Sequence, residues 1–161
     1  MAQRLTRPIH GARIFRIAVV ISFVLILAAC AGSSFKPREA CLVIEASPSL
    51  NLYDGEAHAL NLFIYPMTGI AVFHESSIDD LVAGKTVGGT TGPPLSVMIS
   101  PGEVREFREA FSPGTSVIGV VADYYQAGME LPGNRRGVVQ GKCSFFRSDK
   151  IVLTSRDLLV E

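Results

Sequence analysis

Four arginines (Arg4, Arg7, Arg13 and Arg16) and no acidic residue precede a short apolar run, residues 17–27, that ends in Leu27-Ala28-Ala29-Cys30. A positive flank, an apolar stretch within the ~7–15 residues of a secretory core and small residues before a cleavage point make an export signal rather than part of the fold. The apolar stretch 17–31 is also shorter than the ~20 residues that a bilayer-spanning helix needs. With cysteine directly after Ala28-Ala29, the pattern is that of a lipobox, in which the cysteine is acylated and becomes the new N-terminus. Residues 1–29 therefore read as a lipoprotein signal peptide, residues 30–38 as acylated Cys30 and its tether, and residues 39–161 as the periplasmic domain. Folding has to be argued from the last of these alone.

Removing the signal changes the charge balance. Of fifteen Lys or Arg, eleven remain against fifteen Asp or Glu, so the mature chain of 132 residues carries a formal net of −4. Without a basic surplus to neutralise phosphates, nucleic acid is excluded as a partner. The length suits one domain with a real core. The tether, Ala-Gly-Ser-Ser-Phe-Lys-Pro-Arg at 31–38, has no apolar periodicity, and its eight residues reach at most ~28 Å when extended.

Two cysteines, Cys41 and Cys143, are left once Cys30 is committed to lipid. Buried free thiols and a bridge both satisfy that count, and an oxidising compartment favours the bridge, which we expect. No metal site is expected, because His58 and His74 stand sixteen apart with no CxxC or HExxH spacing near them.

Short apolar or alternating runs separated by turn residues recur along the mature chain, which is the pattern of an all-β, two-sheet sandwich of about seven to eight strands. Cys41-Leu42-Val43-Ile44 is the first. Residues 59–65 alternate, with Leu60, Leu62 and Ile64 on one face and Asn61, Phe63 and Tyr65 on the other. Leu95, Val97 and Ile99 point one way in the next run, and residues 116–125 are apolar without alternation, as in a central strand covered on both faces. Segments 138–146, 151–154 and 157–160 complete the set.

One helical insertion interrupts the strands. Ser77 is placed to cap it, Asp79 and Asp80 suit the positive end of its dipole, and Ile78, Leu81 and Val82 share a face before Gly84. Residues 104–111 are ambiguous: Val104, Phe107 and Phe111, spaced by three and four after a Ser100-x-x-Glu103 box, lean towards helix, whereas Pro101-Gly102 before a short run also suits a hairpin arm. Four glycines and two prolines between 84 and 94 make a flexible loop.

Chemistry-bearing patterns are missing. Gly84-Lys85-Thr86 lacks the upstream glycine of a phosphate loop, since position 79 is Asp79. No G-x-S-x-G elbow is present, and the adjacent carboxylates Asp79 and Asp80 point apart on a helix, so neither a triad nor a glycosidase pair is supported. No enzyme activity, cofactor or small-molecule substrate is expected. What remains is a docking module, whose surface belongs on loops at one end of the sandwich. The 48–57 loop is the candidate, with Leu50, Leu52, Tyr53 and Asp54 as partner-binding residues. Alternatively, Leu50 and Leu52 tuck under the sheet as loop anchors.

The order of features adds a family resemblance. A lipobox, a first strand, a loop with Leu50-Asn51, then Gly55-Glu-Ala-His-Ala-Leu-Asn-Leu-Phe-Ile-Tyr65, Phe73 ahead of Ile78 and Leu81, Ser100-Pro-Gly-Glu103 and Ile118-Gly-Val-Val-Ala-Asp-Tyr124 follow one another. That series resembles the TssJ (SciN/VasD) lipoproteins of type VI secretion systems up to about Tyr125. The chain departs from it at Phe63-Ile64-Tyr65-Pro66-Met67, where the family tends to have Arg-x-Tyr-Gln-Leu, and in having no tryptophan. The resemblance implies a transthyretin-like sandwich with a small helical insertion, which tips 104–111 towards strand. It also implies an outer-membrane lipid anchor facing the periplasm and docking on the periplasmic domain of TssM, within a TssJ-TssL-TssM membrane complex. Another envelope-assembly adaptor of pilotin type, or a carbohydrate-binding or hydrolytic lipoprotein, is the rival class; the latter would need an aromatic platform or paired carboxylates.

The anchor is directly testable. Cys30→Ser should leave a soluble or unprocessed chain with its domain folded, whereas the wild type should partition with outer membranes, Ala31 not being the aspartate that commonly retains such lipoproteins in the inner membrane. Membrane fractionation and metabolic lipid labelling report both.

Overall fold

The computed structural model describes residues 37–125, 133–143 and 148–161. The expected signal peptide, Cys30 and the expected tether up to residue 36 lie outside the described residues. Eight strands and two short helices follow in the order β1 (Arg38–Ala46), β2 (Leu60–Met67), α1 (Ala71–Glu75), α2 (Ile78–Val82), β3 (Leu95–Ile99), β4 (Val104–Phe111), β5 (Val117–Ala122), β6 (Arg136–Val139), β7 (Asp149–Leu153) and β8 (Leu158–Val160). One sheet has the order β4-β1-β7-β8 and the other β3-β2-β5-β6, with β1 and β7 parallel and every other pair antiparallel.

The alternation in the sequence sorts side chains into two cores. Leu42 and Ile44 of β1, Phe107 and Phe111 of β4, and Ile151 and Leu153 of β7 meet Leu60, Leu62 and Ile64 of β2 and Ile118 and Val120 of β5 between the sheets. The opposite faces of β2 and β5 are apolar as well: Tyr65, Met67, Val117 and Val121 are buried under Phe73 of α1 and Leu81 of α2. All six residues of β5 are buried, which accounts for its unbroken apolar run.

The helices are held by polar contacts that the strands provide. Ser77 Oγ accepts from the Asp80 N–H, capping α2 as its sequence suggests. The Tyr65 hydroxyl, buried in β2, donates to the Leu81 carbonyl at 2.6 Å, and burial pushes its pKa up. Helix α1, which the sequence pattern did not reveal, is five residues long and has no side-chain cap at its start. Its C-terminal end is stabilised by Arg136 of β6, whose guanidinium donates to the carbonyls of Phe73, His74 and Ser76 and lies 5.4 Å from the Phe73 ring centroid. Phe73 sits directly over Gly119 of β5, where a Cβ would come within 2.7 Å of its ring. Glycine is required there for close approach.

Residues 104–111 form a strand, and the structure shows why their local pattern misleads. Their inward face reads Arg105, Phe107, Glu109, Phe111, so its two buried apolar residues lie four apart, as they would along a helix. The Ser100-x-x-Glu103 box is spent on a turn. Gly102 has φ +75°, the Glu103 N–H donates to the Ser100 carbonyl, and the Ser100 N–H donates to Glu103 Oε2 at 2.8 Å, which lowers that carboxyl's pKa. Pro101-Gly102 thus makes the type II turn its residues favour and carries the chain from one sheet to the other. Segment 138–146 is strand only in its first part, within β6; residues 144–147 lie outside the described residues.

Cys41 and Cys143 are joined, with S–S 2.06 Å and Cα atoms 4.8 Å apart. The Cys41 N–H donates to the Gly141 carbonyl beside the bridge, so the chain after β6 is stitched to the start of β1. A link across 102 residues of sequence restricts the unfolded chain strongly. Replacing both cysteines by serine should lower the unfolding free energy by roughly 2–5 kcal/mol in denaturant titration. Thiol labelling of the denatured, unreduced periplasmic protein should find neither cysteine free; labelling of both would refute the bridge.

Candidate partner interface

Four connections gather at the end of the sandwich where β1 finishes. They are the β1–β2 loop (residues 47–59), the β3–β4 turn, the start of the β5–β6 connection and the β7–β8 turn. Backbone bonds tie them together: the Gly102 N–H donates to the Ser47 carbonyl and the Leu52 N–H to the Ser155 carbonyl. Asn51 holds the centre. Its φ is +47°, within the left-handed region that asparagine tolerates. Its buried side chain donates to the Ala59 carbonyl and accepts from the Tyr125 N–H at 2.9 Å.

Beyond Asn51 the loop folds into a miniature hairpin. Tyr53 and Glu56 exchange both backbone hydrogen bonds, at 3.0 and 3.1 Å, around Asp54 and Gly55. Both central residues have positive φ, +53° and +81°, as a type I′ turn demands, and Asp-Gly is the residue pair that meets this demand at low cost. The hairpin presents Tyr53, whose ring stacks on His58 at 3.6 Å and leans on Tyr125 at 4.2 Å. Leu52 is 41% exposed and Tyr125 53%, with Asp54 and Glu56 exposed around them. An aromatic cluster held rigid by stacking, beside an exposed leucine and rimmed by carboxylates, has the composition of a small protein-binding surface.

The four residues singled out from the sequence divide here. Leu52, Tyr53 and Asp54 stand at the surface, whereas Leu50 is fully buried in the inter-sheet core. Leu50 is thus corrected from partner anchor to loop anchor: its carbonyl accepts from the His58 N–H and its side chain seals the end of the sandwich. Sequence reasoning missed His58, which the hairpin folds back onto Tyr53 five residues away, and Tyr125, 72 residues on, which meets Tyr53 only once β5 pairs with β2. The pair Tyr124-Tyr125 was the available signal. Tyr124 points the other way, buried, with its hydroxyl donating to the Asp157 carbonyl at 2.7 Å and its pKa pushed up by burial. Nearby, burial raises the pKa of Asp123 while Arg135, at 3.4 Å, opposes that shift.

Nothing in this arrangement sets a nucleophile against a base. Among the described residues, one grouping of Cys, His or acidic side chains comes close enough to hold a metal, Glu39 with Cys41 and Cys143, and its two sulfurs are bonded to each other.

The fold and this surface define a class: a two-sheet, eight-stranded sandwich with a helical cover on one sheet and a rigid apolar loop cluster at one end. No protein-family model and no curated protein matches the chain. Solved structures share its fold. The T6SS lipoprotein TssJ1 from Pseudomonas aeruginosa aligns with a TM-score of 0.60 at 23% identity over 78% of this chain and 95% of that one. Serratia marcescens Lip, a membrane-bound component of the type VI secretion system, aligns with a TM-score of 0.59 at 16% identity over 78% of this chain and 96% of its own. A chain of the structure of the T6SS protein TssM C-terminal domain from EAEC aligns at 0.64 and 16% identity over 76% of this chain and 97% of that one. At such identities the likeness is one of fold, and it bears out the all-β sandwich expected from the sequence.

The division within the loop yields a measurable contrast. Leu50→Ala should cost about 2–5 kcal/mol of stability through the cavity it leaves, whereas Leu52→Ala should stay within about 0.5 kcal/mol of wild type. Thermal or denaturant unfolding of the two variants checks this.

Proposed function

We propose that the chain is an outer-membrane lipoprotein of the TssJ type. In this reading it is acylated at Cys30, faces the periplasm and docks on the periplasmic domain of the inner-membrane protein TssM, so linking a type VI secretion membrane complex to the outer membrane. The observation that carries the reading is the coincidence of a lipobox with a sandwich that spans nearly the whole length of solved T6SS lipoproteins. The resemblance in motif order supports it independently of the fold.

Geometry supports the division of labour. Strand β1 runs from Arg38, where the tether enters, to Ala46, where the loop cluster begins. Nine extended residues put those ends roughly 25–30 Å apart. The lipid would hold one end of the sandwich and leave the Leu52, Tyr53 and Tyr125 end free to reach across the periplasm. Covalent lipid is the only non-protein group the reading needs, and it calls for no catalytic residue.

Affinity for the TssM periplasmic domain is the deciding measurement. Tyr53→Ala should weaken binding by ~2 kcal/mol or more, about 30-fold, because its ring organises the stack with His58 and Tyr125, while exposed Glu56→Ala should change it little. Co-purification of TssM from membranes should fall in parallel. Unchanged affinity in Leu52→Ala, Tyr53→Ala and Asp54→Ala alike would move the partner surface elsewhere.

A further inference from the structure

The end of the sandwich opposite the loop cluster has a composition unlike the rest of the surface. Three of the connections that meet there are residues 68–72 leading into α1, residues 86–94 ahead of β3, and residues 112–116 between β4 and β5; the β6–β7 connection beside them brings Lys142 and, at the start of β7, Asp149, whose carboxylate accepts from the Gly141 N–H. The first three are joined into one surface. The Thr68 N–H donates to the Gly89 carbonyl, Thr91 Oγ1 lies 2.6 Å from Thr115 Oγ1, and Ser116 Oγ donates to the Thr68 carbonyl at 2.7 Å. A Cβ added at Gly88 would meet a Val72 methyl carbon at 3.3 Å.

None of these nineteen residues is charged, although charged residues make up 19% of the chain. Hydroxyls, glycines and exposed Pro93 and Pro113 dominate, and from among them Ile70 and Val72 project with 45% and 44% exposure. At the opposite end each of the four connections carries a carboxylate: Asp54 and Glu56, Glu103, Asp123, and Asp157. The end with the three uncharged connections is also where the chain enters the domain. Arg38, the first residue of β1, donates to the Thr115 carbonyl at 2.8 Å and to the Gln140 carbonyl, and Lys142 is exposed beside it. Glu39, the neighbouring carboxylate on β1, lies 3.7 Å from Arg108.

We infer that the surface formed by these three uncharged connections, with Ile70 and Val72 exposed on it, is a membrane-contact face that rests on the phospholipid surface in which Cys30 is anchored. This rests on the lipid-anchor reading above. Seven residues separate Cys30 from Arg38, eight residue steps, so the surface around Arg38 stays within ~28 Å of the bilayer and is presented to it continually. Two exposed aliphatic side chains would bind a bilayer only feebly by themselves. Behind a short tether the contact is intramolecular, and the high effective concentration makes a weak contact persist. Three connections free of charged residues meet headgroups without like-charge repulsion or the cost of stripping water from a charge, and the nearby carboxylates Glu39 and Asp149 are engaged by Arg108 and by the Gly141 N–H. The consequence is orientation: Leu52, Tyr53 and Tyr125 are held away from the membrane instead of sampling all directions.

The chain contains no tryptophan, so a single one introduced at the surface is a clean reporter. Mature acylated Ile70→Trp, Val72→Trp and Leu52→Trp are reconstituted in phosphatidylethanolamine–phosphatidylglycerol vesicles with and without brominated acyl chains, and flotation is measured on the same samples. Brominated lipid should reduce Trp fluorescence at 70 and 72 about two-fold or more and leave Trp at 52 unchanged, since interfacial insertion reaches only ~5–10 Å. The Cys30→Ser form of Ile70→Trp should show no quenching. Flotation with equal quenching at all three positions, or more at 52, overturns the contact face and leaves the anchor standing. Failure of the acylated protein to float refutes the anchor reading and this inference with it.

Discussion

The whole architecture depends on β2 and β5 being apolar on both faces. Ile64 and Val120 face the opposing sheet, while Tyr65 and Val121, one residue along, face outward. A strand pair of this kind cannot leave one side to water, as most antiparallel sheets do. The segment between β2 and β3 supplies the cover: Phe73 and Leu81 close over the outer face, and Gly119 leaves room for the Phe73 ring. The helices are short because they have one task, which is to bring two apolar side chains to that face. Their polar ends are satisfied by the strands beneath, through the Tyr65 hydroxyl and the Arg136 guanidinium.

With both faces of the β3-β2-β5-β6 sheet covered, the two ends of the sandwich differ sharply from each other in composition. One end is charged, aromatic and built on a strained but well-bonded loop in which Asn51, Asp54 and Gly55 all take positive φ. The other, where β1 begins, has three connections without a charged residue. The disulfide sits towards this second end, joining the start of β1 to the chain after β6. A tether pulling on β1 would therefore act on a strand that is paired on both sides and covalently linked to the second half of the domain.

Where local pattern and structure part company, the reason is long-range pairing. Residues 104–111 carry helical spacing because two polar residues occupy inward positions on an edge strand, and the pairing of Phe107 with Leu42 and of Phe111 with Arg38 decides their conformation. Leu50 looked like Leu52, two positions away in a polar loop. Only the placement of Ser47 and His58, whose backbone groups bond Leu50 on both sides, turns one leucine inward and the other outward. Tyr125's place in the aromatic cluster is equally invisible locally, since it comes from the connection after β5, in the other half of the chain.

The sequence by itself set the expectation of an export signal and lipobox, and determined the strand alternation, the doubly covered central strand, the cap of α2 and the candidate loop, because each is written in residues a few positions apart. Covalent chemistry, side-chain periodicity and turn preference act over that range. Tertiary structure decided the sheet order, the cysteine pairing, the strand state of 104–111, the inward turn of Leu50, the Tyr53–His58–Tyr125 cluster and the uncharged surface assembled from three separate connections. Apart from Leu50, whose backbone partners Ser47 and His58 lie in its own loop, each of these depends on contacts between segments tens of residues apart, whose free energy appears only when the sheets close on one core.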